Sequence, residues 1–292
     1  MELECRNLRK TYGGFTAIEE INYRFSDGVY GLLGPNGAGK STWMKLLTAS
    51  LKPTGGSILW NGTPIDRAGQ EYVGKIGYVP QNQNLFPYFT GSRFLYYMAT
   101  LKGIKKELAD RQIPDLLQRV NLKEAGRKKI GTYSGGMKQR LLTAQAFLGE
   151  PEVIYMDEPT AGLDPKERIR IRNLIAEMAI NKIVLIATHV VSDVEYISKK
   201  ILLMKSGNII GCGAAEDLED EMEGMVYEKE LEASELDAFV KCHLIGGMRK
   251  EGQRILVRFL SEEQEEAAER VRPTLDDVYL HHFQEEDLYG TE

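Results

Sequence analysis

Apolar and polar residues follow two different rhythms along this chain. Leu3 to Tyr12 and Thr16 to Phe25 alternate, the period-two pattern of half-buried strands, and the Gly13-Gly14 pair between them predicts a hairpin-like turn. VYGLL (Val29 to Leu33), VIYM (Val153 to Met156) and IVLIA (Ile183 to Ala187) are instead largely apolar without alternation, as in strands buried on both faces of a parallel sheet. Helical periodicity separates these runs. STWMKLLTA follows the first, and AGLDPKERIRIRNLIAEM follows the second, with Asp164 expected as N-cap and Pro165 at the first helical position. Alternation of buried strands with helices predicts an α/β fold. Shorter strands are expected at Ile58 to Trp60, between turns at Pro53 to Gly56 and Asn61-Gly62, and in KIGYVPQ, ending at Gln81. ILLMKSGNIIG predicts a hairpin around Ser206 to Asn208.

From Asn84 to about residue 150 the texture becomes aromatic and helical, which predicts a helical insertion. KKELADRQIPDLLQRVNL continues it with a break expected near Pro114. In GTYSGGMKQRLLTAQAFLGE, Ser134 is expected to cap a helix whose apolar positions include Leu141, Leu142 and Leu148. Beyond residue 215, MVYEKEL, CHLIGGM and RILVRFL predict strands, and ELDAFV and EEQEEAAERV predict helices. Together they suggest a small α+β appendage.

Charge sharpens that division. Of the 292 residues, 1 to 215 carry a net +9 and 216 to 292 a net −15, so a boundary is expected between Ala214 and Glu219, giving domains 1–215 and 216–292. No apolar run approaches the roughly 18 residues of a membrane span, and the start, MELECRNLRK, is charged where a signal peptide would be apolar; a cytosolic protein is expected. Cys5, Cys212 and Cys242 are isolated and odd in number, against a disulfide framework or a CxxC metal site. No basic run is interleaved with aromatics, so no nucleic-acid partner is expected.

The densest chemistry lies in GLLGPNGAGKST. Gly34, Pro35, Asn36, Gly37, Ala38, Gly39, Lys40, Ser41 and Thr42 contain the phosphate-loop pattern Gly-x4-Gly-Lys-Ser, between a buried strand and a helix as that motif requires. Glycines let backbone N–H groups approach phosphate oxygens at a helix N-terminus. Lys40 is suited to the β- and γ-phosphates, Ser41 to Mg2+, and Thr42 to a phosphate oxygen.

With further motifs in order along residues 1 to 215, the chain resembles the ATP-binding subunit of an ABC transporter, with ATP and Mg2+ as the implied ligands. The resemblance implies a P-loop ATPase core with an antiparallel β subdomain and a helical subdomain. It makes Tyr12, otherwise an ordinary strand tyrosine, an adenine-stacking ring, and Gln81 the glutamine that reaches Mg2+ or water. Asp157 becomes the Mg2+-shell carboxylate beside Ser41, Glu158 the base for the attacking water, and His189 the γ-phosphate contact. YSGGM, Tyr133 to Met137, corresponds to the signature LSGGQ with departures at its first and fifth positions. Ser134, Gly135 and Gly136 are then expected to contact the nucleotide of a second subunit, and Met137 lacks the polar contact of glutamine. Asp164 reads equally as an N-cap or as a residue of crosstalk between sites. The implied partners are a second ABC ATPase, identical or related, and a multispan permease meeting the aromatic stretch Phe86 to Tyr97. PTLDDVYLHHF, Pro273 to Phe283, resembles the tail of some export subunits; His281 and His282 diverge on a helix, against metal binding. A soluble ABC ATPase acting on nucleic acid or ribosomes, and an ATP-sensing regulator, are the alternatives.

Overall fold

The computed structural model describes residues 1–81, 85–265 and 267–283. Strands β1 (Leu3–Tyr12) and β2 (Phe15–Phe25) form an antiparallel hairpin that pairs Tyr12 with Phe15 across a turn in which Gly13 adopts φ 56°. A positive φ is the conformation for which glycine carries no steric cost. Strand β3 (Gly28–Leu33) leads through the phosphate-loop sequence into α1 (Lys40–Leu47). β4 (Gly55–Trp60) and β5 (Thr63–Pro64) return to the first sheet, whose order is β2-β1-β4-β5. β4 starts earlier than expected from Ile58, because Gly55 and Ser57 pair with Arg9 and Arg6 of β1.

Helices α2 (Ile65–Ala68) and α3 (Gln70–Gly74) precede β6 (Ile76–Val79). A helical layer follows: α4 (Gly91–Leu101), α5 (Lys106–Arg119) and α6 (Gly135–Ala146). Then come β7 (Val153–Asp157), α7 (Pro165–Met178), β8 (Ile183–Thr188), β9 (Lys200–Lys205) and β10 (Asn208–Gly213). The central sheet runs β10-β9-β3-β8-β7-β6, parallel except at β10, and β7 and β8 are buried along their whole length. Their unbroken apolar character is thus the signature of helices on both faces. This is the expected α/β core with an antiparallel β sheet and helical layer beside it.

Other expectations change as well. Pro114 lies inside α5 without breaking it; the missing N–H costs the helix one bond, and burial of Ile113, Leu116 and Leu117 on its inner face offsets that. Leu148 falls beyond α6, which ends at Ala146. EEQEEAAERV forms no helix among the described residues; it holds bends and a two-residue strand, consistent with mutual repulsion of its glutamates and with Glu265 turned to His243 and Ser261. Asn84, the expected start of the insertion, and 284–292, the end of the appendage, lie outside the described residues.

After β10 come α8 (Ala215–Asp220), β11 (Val226–Leu231), α9 (Leu236–Cys242), β12 (Leu244–Glu251), β13 (Arg254–Leu260), β14 (Glu269–Arg270) and α10 (Leu275–His282). The strands form a third sheet, β12-β13-β11-β14. α10 begins in a capping arrangement, the Thr274 N–H and hydroxyl donating to Asp277 Oδ2 at 2.8 and 2.7 Å. Its Leu275 and Val278, with the following Phe283, are buried in one apolar cluster with Val194, Ile201 and Leu203 of the main body. No helix among the described residues is long and apolar enough to cross a membrane.

Candidate active site

The loop between β3 and α1 is shaped by glycines for which no other residue would serve. A Cβ on Gly34 would lie 2.2 Å from the Met204 carbonyl oxygen. Gly39 has φ 105°, and a Cβ there would lie 2.7 Å from the Ala17 oxygen. At Gly37, φ 85°, the space beside the backbone is open. α1 is anchored behind the loop by buried Trp43, Met44, Leu46 and Leu47, each contributing about 1.5–3 kcal/mol. The Lys40 ammonium is buried and donates to the Gly34 and Pro35 carbonyls at 2.6 and 2.9 Å. Burial pushes its pKa down, opposed by the charges of Glu158 and Asp157.

Residues 36–42 of the loop line a cleft of about 280 Å³ together with Phe15 and Ala17 of β2, Gln81, Asp157 and Glu158. Gln81 lies two residues past the end of β6, exposed. Parallel pairing with β8 brings Asp157 level with Ala187 at the carboxyl end of the sheet, where open α/β sheets bind ligands. Burial raises the Asp157 carboxyl, against a hydrogen bond with Ser41; the Glu158 charge raises it further, and Lys40 and Lys45 lower it. A hydroxyl and a carboxylate beside an empty-sided glycine loop form a hard oxygen donor set of the kind Mg2+ takes along with phosphate oxygens. The backbone N–H groups and buried cation suit the phosphates themselves.

Glu158 leaves the strand in a left-handed conformation, φ 51°, uncommon for a side chain of its size, with its N–H bonded to the Ala187 oxygen at 2.8 Å. This turn aims its carboxylate under the end of β8. Oε2 accepts the Thr188 hydroxyl at 3.1 Å; Oε1 accepts the His189 N–H at 3.2 Å and lies 2.7 Å from His189 Nδ1. Facing a carboxylate, Nδ1 carries the hydrogen, and a neutral ring then leaves Nε2 as an acceptor. Glu158 is buried, whereas the His189 side chain is half exposed.

The family model described as ABC transporter matches residues 18–161. A Nod factor export ATP-binding protein I of Cupriavidus pinatubonensis is 35% identical over 236 residues, 79% of this chain and 73% of that protein. The chain belongs to the ABC transporter family of ATP-binding proteins. A daunorubicin resistance ATP-binding protein, DrrA3, of Streptomyces coeruleorubidus aligns over 93% of this chain and 92% of its own length at 33% identity, appendage included. Among solved structures, cbiO1 from Clostridium perfringens, part of the ABC transporter complex cbiONQ, superposes with a TM-score of 0.69 over 75% of this chain and 90% of its own at 30% identity. As an ABC ATPase, the chain hydrolyses ATP.

Within this ABC subunit, Ser134, Gly135 and Gly136 stand at the start of α6, outside the cleft lining. Ser134 caps the helix by accepting the Met137 N–H at 3.2 Å. Gly136 is fixed by its neighbour: a Cβ would lie 2.8 Å from Glu167 Oε2, which also faces Arg140 Nε at 3.4 Å. The departure at Tyr133 has a local cause, since its hydroxyl reaches the Ala125 carbonyl at 2.6 Å across Gly91. Met137 packs against the apolar cluster. Asp164 caps α7 by accepting the Glu167 N–H at 3.0 Å, with Pro165 following as expected.

Tyr12 sits at the hairpin end, 45% exposed, with Lys10 Nζ 5.0 Å from its ring centre, and Phe15, not Tyr12, lines the cleft. Sequence reasoning missed Phe15, which looks like a turn residue, and Thr188, the one polar member of an apolar run. It also missed Asp193, whose buried carboxylate accepts the Thr160 hydroxyl. Its one legible signal was an acidic residue soon after His189.

Proposed function

We propose that this chain powers a transporter of the export type by closing on ATP as a dimer and hydrolysing it from the cytoplasmic face of a membrane, through a multispan permease. The observation that carries the reading is the Glu158 carboxylate, buried beside the phosphate-loop cleft and engaged by Thr188 and His189. The names of the relatives from Cupriavidus and Streptomyces support export and resistance.

ATP is the substrate. Residues 36–42 receive its phosphates, and Lys40 exchanges two neutral carbonyls for phosphate oxygens, which offsets the desolvation of its buried ammonium. Ser41 and Asp157, with Gln81, hold Mg2+, which supplies Lewis-acid neutralisation of phosphate charge. Tyr12 gives adenine a stacking face. Glu158 polarises the attacking water once His189 turns from Oε1 toward the γ-phosphate. Ser134, Gly135 and Gly136 close the site of a second subunit with N–H groups at a helix N-terminus. The exposed rings of Phe86, Tyr88, Tyr96 and Tyr97 support the permease contact: Phe86, Phe89 and Tyr97 form one ring cluster with centroids 5.0 to 5.9 Å apart.

Three measurements test this. Purified chain with MgATP should release phosphate, and Glu158→Gln with MgATP should run as a dimer in size-exclusion chromatography. Co-expression with a multispan partner should raise turnover in reconstituted vesicles; no turnover with or without a partner refutes the reading.

A further inference from the structure

The turn that follows His189 is gripped from two sides. On its inner side, Asp193, 2% exposed, accepts the Thr160 hydroxyl on Oδ2, while Oδ1 is buried without a hydrogen-bond partner. Thr160 lies two residues past Glu158. This one bond therefore ties the loop that carries Glu158 to the turn, Val191–Asp193, that follows His189. A buried carboxylate keeps such a geometry closely, because losing its donor would leave it uncompensated.

On its outer side the turn meets the appendage. α10 packs on Val191–Asp193, and Val191 and Val194 share the apolar cluster of Leu275, Val278 and Phe283. The helix is fixed at both ends. Arg258 of β13 donates from Nη2 to Asp277 Oδ2 at 2.6 Å and from Nε to Oδ1 at 3.1 Å, and Lys205 donates to the His282 carbonyl at 3.1 Å. The proximity is also electrostatic: the Tyr279 phenol is pushed up by burial and, second, by the charge of Glu158.

We propose that Asp193 is a positioning residue for ATP hydrolysis and that α10 is the strut behind it. By holding the turn from outside, the appendage keeps Asp193 on Thr160, and so keeps His189 in register with the Glu158 carboxylate. Information passes in the other direction as well: when His189 leaves Glu158, the same turn moves against α10. The inference rests on the proposed roles of Glu158 and His189.

The full-length chain provides the test, with Thr160→Val removing the inner tie and Arg258→Met loosening the strut. In the nucleotide-free protein, backbone hydrogen exchange over 189–194 should quicken about fivefold in each variant. With MgATP, each should lose about tenfold in kcat, as expected for a misplaced base, with KM within about twofold. Thr160→Ser, which keeps the hydroxyl, should restore the rate. Because both substitutions act through one turn, the double variant should be no slower than Thr160→Val alone. Should Arg258→Met not fold, Val278→Ala loosens the same contact and takes its place. Unchanged exchange, unchanged kcat, or losses that multiply in the double variant would overturn the proposal. Absence of turnover in the parent chain would instead reject the reading beneath it.

Discussion

The Thr188 hydroxyl donates to Glu158 Oε2 at 3.1 Å and accepts the Val190 N–H at 3.0 Å, so one fully buried side chain both orients the Glu158 carboxylate and shapes the turn after it. Thr188→Val keeps the shape and removes both bonds. It leaves the Val190 N–H and one carboxylate oxygen wanting, and should destabilise the chain by about 1–3 kcal/mol in denaturant titration. The rate of phosphate release should fall with it, and ATP affinity should hold.

Glu158→Gln preserves volume while removing the charge proposed to polarise water. Nucleotide binding by calorimetry should remain, and single-turnover hydrolysis should drop by about a hundredfold or more. Near-normal hydrolysis would remove Glu158 from the role of base.

Gly39→Ala adds a methyl that would meet the Ala17 oxygen at 2.7 Å, in a backbone conformation already at φ 105°. The loop must then deform. Binding of ATP should be lost in equilibrium dialysis, with the melting temperature lowered by a few degrees.

Tyr12 and Phe15 face each other across one hairpin pair, and the sequence directs attention only to the first. Alanine at the ring that stacks the base should weaken ATP binding by about 1–3 kcal/mol, equally for GTP, since stacking reads a π face and not its edge. Phe15→Ala with the larger loss would transfer the role from Tyr12 to its neighbour.

Lys102 donates to the Ile76 and Leu148 carbonyls at 3.3 and 3.1 Å, and burial lowers its pKa from 10.5 to about 8. Between those values the unfolded chain binds the extra proton. Stability therefore rises with pH from about 8 to 10.5, by at most about 1.4 kcal/mol per unit. Urea titrations should show this slope in the parent chain relative to Lys102→Met, and equal slopes would contradict it.

Asp277 has the opposite sign. Burial raises its carboxyl, but hydrogen bonds from Arg258 and Thr274 outweigh that and hold it below the ordinary 3.8. Its contribution is therefore complete above 3.8 and lost as the pH falls through the folded value. Asp277→Asn should cost about 1–3 kcal/mol at neutral pH, a difference that closes in acid.

Much of the site was legible because its chemistry is local in sequence. The phosphate loop lies within nine residues, and Asp157, Glu158 and His189 each end or follow an apolar run whose burial is written in its composition. What stayed hidden depends on contacts between distant segments. Nothing near Thr160 announces a bond to Asp193, since 33 positions separate them. Pro114 misled because propensity counts the lost bond and not the burial of Ile113 and Leu116 around it. The glutamates of 262–269 misled because helix formers predict a helix only where their charges find partners along it.

The sharing of one apolar cluster by Val194, Leu203, Leu275, Val278 and Phe283 bears on how the chain is made. A ribosome delivers the phosphate loop well before the residues that cover Val194 and Leu203. Until Phe283 has left the exit tunnel, that side of the newborn ATPase stays open and sticky, a period when exposed apolar surface invites aggregation or chaperones. The turn beside His189 therefore settles only after the appendage is in place, so a chain cut short before Leu275 would carry the cleft but leave that turn without its cover.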